Sequence, residues 1–129
     1  MVGRKEKKYV VILKKLGNEL GYTVRPNEHL ANGHYNPDLV WKSGDKLIGF
    51  EVEYSGNGPS NKKFVGDAYW LNKCMNLGFI IIRGKKNALR KLLKFLKEKH
   101  DDFKKVYLID AEKIEEQIKE ILNHHFKFM

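Results

Sequence analysis

Apolar residues recur at two different periods along the chain, and the alternation between them marks out its elements. Tyr9, Ile12, Leu13, Leu16 and Leu20 repeat at helical spacing, which predicts an amphipathic helix from about residue 5 to 20, ended by Gly21. "YTVRP" reads as a short strand, and "HLANGHYNP" carries the Asn, Gly and Pro of a loop. "DLVWK" and "KLIGFEVEY" are strand-like runs separated by "SGD", a turn of hairpin type. After the loop "SGNGPSN", Ser60 is placed to cap a second helix that runs to about Asn76 through Phe64, Ala68, Leu71 and Met75. "LGFIIIRG" is the most apolar strand, which suggests burial on both faces. A third helix from about Lys86 to Lys99 turns Leu89, Leu92, Leu93 and Leu96 inward; the strand "KKVYLID" and a last helix from about Glu112 to His125 follow. The order α β β β α β α β α, an early hairpin followed by crossover units, predicts an α/β sandwich with a mixed sheet.

No repeat, linker or low-complexity segment interrupts this order, and 129 residues suit one domain spanning the whole chain. Lys and Arg number 25 against 16 Asp and Glu, an excess that favours a polyanion such as nucleic acid. The single cysteine, Cys74, cannot form an intrachain disulfide and suits a reducing compartment, so the expected location is cytoplasmic. No apolar run approaches the roughly 18 residues that span a bilayer, so no membrane association is expected. A phosphate-cradling Gly motif is missing, and with it any support for a nucleotide cofactor.

Against this basic background three carboxylates, Asp38, Glu51 and Glu53, fall in or beside strands. Asp38 follows Pro37 at the mouth of its strand, and Glu51 and Glu53, two apart, leave the same face of the next one. If "SGD" closes a hairpin, pairing brings Asp38 near Glu51 or Glu53. Like charges held that close are costly without a cation, and hard oxygen donors suit Mg²⁺, with Mn²⁺ as a substitute. Such an ion activates water and neutralises charge on a phosphodiester.

Residues 37 to 53, "PDLVWKSGDKLIGFEVE", resemble the motif of the PD-(D/E)XK nuclease superfamily, an Asp at a strand start followed by Glu-x-Lys in the next strand. With "LGYTVRP" upstream and "LGFIIIRG" downstream, the likeness extends over roughly residues 9 to 83 and is closest to the small archaeal Holliday junction resolvases. It implies a restriction-endonuclease-like three-layer sandwich, a Mg²⁺-dependent endodeoxyribonuclease activity, and a homodimer acting on DNA. Carried over by position, Asp38, Glu51 and the backbone carbonyl of Val52 bind the metal. The chain departs from the motif where Glu53 stands in place of its lysine. Glu53 is then a further metal ligand or a base, or else Lys62 or Lys63 in the next helix supplies the missing charge. The resolvases also carry an acid near the middle of the first helix; Tyr9 falls there in this chain, and Glu19 is the nearest substitute.

Lys86, Arg90, Lys94 and Lys97 form a basic stripe opposite the leucines of the third helix, suited to tracking a phosphate backbone. "SGNGPSNKK" is a candidate DNA-contacting loop, with Lys62 and Lys63 at its end. The histidines read as loop and surface residues without zinc spacing, and Tyr69 and Trp70 as core residues that are also able to stack on bases. Together these features point to a DNA endonuclease of junction-resolving, restriction or repair type. The alternative is a catalytically inactive nucleic-acid-binding module of the same fold.

Overall fold

The computed structural model of the chain describes residues 4–26, 28–54, 59–84 and 86–126. The elements follow the expected order: α1 (Arg4–Glu19), β1 (Thr23–Arg25), β2 (Leu39–Ser43), β3 (Lys46–Tyr54), α2 (Asn61–Cys74), β4 (Leu77–Arg83), α3 (Lys86–Lys99), β5 (Val106–Asp110) and α4 (Ile114–Phe126). A short 3-10 turn at Asp101–Phe103, which hydrophobic spacing does not reveal, leads into β5 and buries Phe103.

The five strands form one mixed sheet in the order β1-β2-β3-β4-β5. The first three are antiparallel to one another, and β3, β4 and β5 run parallel. Local chemistry explains the change. Gly44 adopts a positive φ of 61°, which closes the tight turn between Ser43 and Lys46. Parallel neighbours need a crossover, and α2 and α3 supply one each. Both lie on one face of the sheet, where Phe64, Ala68, Leu71, Leu89 and Leu93 pack on Val40, Ile80, Ile82 and Val106. Helices α1 and α4 cover the other face, where Leu13, Leu16, Ile114 and Ile118 pack on Trp41, Phe50, Phe79 and Ile109. Three layers result. Residues Leu77 to Ile82 of β4 are buried without a break, as a strand covered by helices on both faces requires.

Two contacts set where the helices sit. The Trp41 indole N–H donates to the carbonyl of Leu13 over 3.1 Å, fixing α1 above β2. On the other face, Gly49 and Gly78 are cross-strand partners. A Cβ on Gly49 would lie 2.7 Å from Met75 Cγ, and one on Gly78 2.7 Å from Leu71 Cβ. The second half of α2 therefore rests on bare backbone, and its first turns are held over the far end of β3.

Candidate active site

The hairpin register pairs Leu39 with Phe50, so the next residues outward, Asp38 and Glu51, stand side by side at its open end. The backbone joins them, because the Val52 N–H donates to Asp38 Oδ2 over 2.7 Å. A strand residue sends its N–H and C=O to the same edge, so the Val52 carbonyl also faces the Asp38 side. Glu51 and Glu53 are opposite Ile80 and Ile82, which places both on the α2/α3 face. Their relative exposures are 7% and 8%, which is rare for carboxylates without close partners.

Those partners come from a loop and a helix. The segment from Leu30 to Tyr35 closes on itself through backbone bonds of 2.8 and 3.1 Å, with Ala31, Asn32 and Gly33 all at positive φ. It delivers Tyr35, whose ring stacks on Trp70 of α2 at 5.7 Å and whose hydroxyl donates to Glu51 Oε2 over 2.8 Å. From α2, capped at Ser60 by a bond from the Lys63 N–H, the Lys63 ammonium reaches Glu53 Oε1 at 2.6 Å and Asp67 Oδ2 at 3.5 Å. Lys62, one residue earlier, is exposed. The cluster thus holds Asp38, Glu51, Glu53 and Asp67 with Tyr35 and Lys63. Tyr35 and Asp67 were not anticipated from sequence, although the spacing of four between Lys63 and Asp67 is an ion-pair signal on a helix.

The electrostatics are those of crowded acids. Burial, reinforced by the charges of Asp67 and Asp38 and only partly offset by the Tyr35 hydrogen bond, pushes the Glu51 carboxyl up to about 9. Burial and then the hydrogen bond to Glu53 likewise raise Asp67. Burial and the charge of Glu51 hold the Tyr35 phenol far above its ordinary range. For Lys63, partial burial works against the ammonium, but the bond to Glu53 and the neighbouring acids outweigh it and raise the pKa.

The chain matches no protein-family model, no curated protein and no solved structure. Its site has to be judged on its own chemistry. Among the described residues, no three carboxylate, histidine or cysteine side chains are placed to hold a metal ion together. Glu53, an expected ligand, accepts the Lys63 ammonium at 2.6 Å. Asp38 and Glu51 form an adjacent pair of carboxylates, each accepting a hydrogen bond from the protein. Mg²⁺ is typically held by one or two carboxylates and several waters, so this pair fits it.

The other expected site residues lie elsewhere. Glu19 ends α1 on the opposite face of the sheet; after the stronger contribution of Glu115, its charge helps to raise the pKa of Lys119 on α4. Arg90 and Lys94 are exposed along α3. Lys97 is turned inward: its ammonium donates to the Val106 carbonyl over 2.8 Å and lies 3.7 Å from the centre of the Tyr107 ring. The Lys86 side chain and residues 55–58 of the candidate DNA loop fall outside the described residues. Trp70 packs against the core while Tyr69 is 37% exposed. A groove of about 960 Å³ lies between the ends of α1 and α4, lined by Leu20, Tyr22, Tyr107 and Ile121. It contains none of the expected site residues. No helix among the described residues is long and apolar enough to cross a membrane.

Proposed function

We propose that the chain is a Mg²⁺-dependent endonuclease that hydrolyses DNA phosphodiesters, acting as a homodimer in the cytoplasm. The observation that carries this reading is the placement of Asp38 beside Glu51 at the hairpin's end, with a lysine ammonium brought to the next carboxylate from α2. The mixed five-stranded sheet between two helix layers supports this reading. Lysine has left the strand, and Lys63 occupies the neighbourhood from the helix side.

In this reading Asp38, Glu51 and the Val52 carbonyl hold the metal, which when bound lowers the pKa of a coordinated water and screens the phosphate. Lys63 stabilises negative charge that builds on the phosphate in the transition state, where a preplaced ammonium has most effect. Glu53 and Asp67 position Lys63 from two sides, and in this reading Glu53 also orients a water. The net charge of +9 draws the polyanion in, and exposed Lys62, Arg90 and Lys94 contact its backbone.

A second reading, a module that binds nucleic acid without cutting it, is favoured by the engagement of Glu53 with Lys63 and the lack of a three-ligand group among the described residues. Incubation with Mg²⁺ or Mn²⁺ and labelled duplex, flap, single-stranded and four-way junction DNAs separates the two. Metal-dependent products support the nuclease; retention of every DNA intact, with measurable binding, supports the module.

A further inference from the structure

Helix α1 is apolar on both sides. Tyr9, Val10, Leu13 and Leu16 are buried against the sheet, yet on the outer side Val11 is 60% exposed and Ile12 38%. A helix that only covers a sheet keeps its outer stripe polar, so adjoining apolar side chains there are surface left for a partner. Exposed Lys7, Lys8 and Lys15 surround them. The neighbouring helix carries the opposite charge: Glu112 just before α4, and Glu115, Glu116 and Glu120 within it, are exposed. The Glu115 carboxyl is held low by Lys119 and, more weakly, by Lys15, while Lys119 is raised by Glu115 and, more weakly, by Glu19. Residues 15 and 19 of α1 thus lie near 115 and 119 of α4, and the two helices run side by side in one direction. Among the described residues Lys7, Lys8, Lys15, Glu116 and Glu120 form no ion pair.

We infer that this face is the contact between two copies of the chain, with the basic half of α1 in one copy lying across the acidic side of α4 in the other. A two-fold contact uses the same patch twice, so the patch has to be self-complementary. Basic and acidic halves side by side on one face meet that demand when the axis runs along the helices, because each α1 then lies over the other copy's α4. Val11 and Ile12 are covered in the same step. Nucleic acid is a poor occupant of this face, since the glutamates of α4 repel its phosphates. Glu51 and Glu53 lie on the opposite, α2/α3 face, so pairing through α1 and α4 does not obstruct them.

This inference rests on the homodimer of the proposed function, and the test keeps the two apart. Molar mass is measured by sedimentation for the full-length wild type, for Lys8→Glu with Lys15→Glu, for Glu116→Lys with Glu120→Lys, and for an equimolar mixture of the two double variants. Each double variant alone sets like charges against each other and should lose about tenfold in dimer affinity. The mixture restores opposite charges at both contacts and should form a dimer of one variant with the other. Val11→Asp should dissociate the dimer as well. A wild-type dimer that either double variant or Val11→Asp leaves intact lies on another face and overturns this inference alone. Double variants that dissociate and do not recover in the mixture overturn the pairing of α1 with α4. A monomeric wild type overturns the homodimer and this inference with it. Should a variant not fold, carbodiimide cross-linking of the wild type decides: a link in the dimer from Lys8 or Lys15 of one copy to Glu116 or Glu120 of the other supports the assignment, and links confined to other faces overturn it.

Discussion

Replacing Glu51 by Gln should make the metal-free protein more stable at alkaline pH, although it removes a proposed ligand. Glu51 has 7% relative exposure and accepts from Tyr35, and its carboxyl is raised from 4.5 to about 9 by burial and by Asp67 and Asp38. Between those two values the folded chain retains a proton that the unfolded chain has released, so unfolding free energy falls as pH rises across the window. At about 1.4 kcal/mol per pKa unit, the shift corresponds to about 6 kcal/mol for a carboxyl that cannot move. Rotation toward solvent relieves much of that, and we expect a realised difference of about 2 kcal/mol at pH 8.5. Glutamine keeps an oxygen for the Tyr35 hydroxyl and has no charge to bury. Urea unfolding in EDTA at pH 5, 7 and 8.5 measures the effect. Wild type and Glu51→Gln should be nearly equal at pH 5 and separate as pH rises, with Asp67 leaving a residual slope in the variant. A variant less stable than wild type at pH 8.5 would refute the reasoning, because it would mean that the charged carboxylate is stabilising where it lies.

Three further outcomes follow from the geometry. Lys63→Met should lower the single-turnover cleavage rate at saturating DNA by about 100-fold with DNA affinity little changed, while Lys62→Met cuts normally; equal rates for the two variants would remove Lys63 from the chemistry. Neutralising Arg90 and Lys94 together should make the slope of log affinity against log salt shallower by about 2, whereas Lys97→Gln should leave the slope alone and cost stability, since its ammonium is committed to the Val106 carbonyl and the Tyr107 ring. Gly78→Ala places a methyl 2.7 Å from Leu71 Cβ and should cost about 2 kcal/mol in thermal or urea unfolding, and by lifting α2 it should slow cleavage as well.

The hairpin was legible because its signals are local. Pro37, the "SGD" turn and the two-residue period of β3 together fix the register that sets Asp38 beside Glu51. The continuous apolar run of β4 announced its place inside the sheet in the same way. Tyr35 and Asp67 escaped because nothing local ties them to Glu51 and Glu53: one arrives on a loop 16 residues upstream, the other on a helix whose height is set by the glycines at 49 and 78. Glu19 lies across the sheet from the acids and Lys97 lies against Val106 and Tyr107 for one shared reason. Helical period tells which side of a helix faces the core, but not which face of the sheet the helix covers, nor that a long lysine stem can fold back onto the edge strand.

The central claim is that Asp38 and Glu51 hold the ion that drives phosphodiester cleavage. Single-turnover cleavage of saturating DNA in Mg²⁺ by wild type, Asp38→Asn and Glu51→Gln tests it most directly, because chemistry is then separated from binding and product release. The account predicts Mg²⁺-dependent product from wild type and none above background from either variant, with all three proteins binding the DNA. Undiminished cleavage by either variant, or DNA bound by the wild type and left intact in Mg²⁺ and in Mn²⁺ alike, would contradict it.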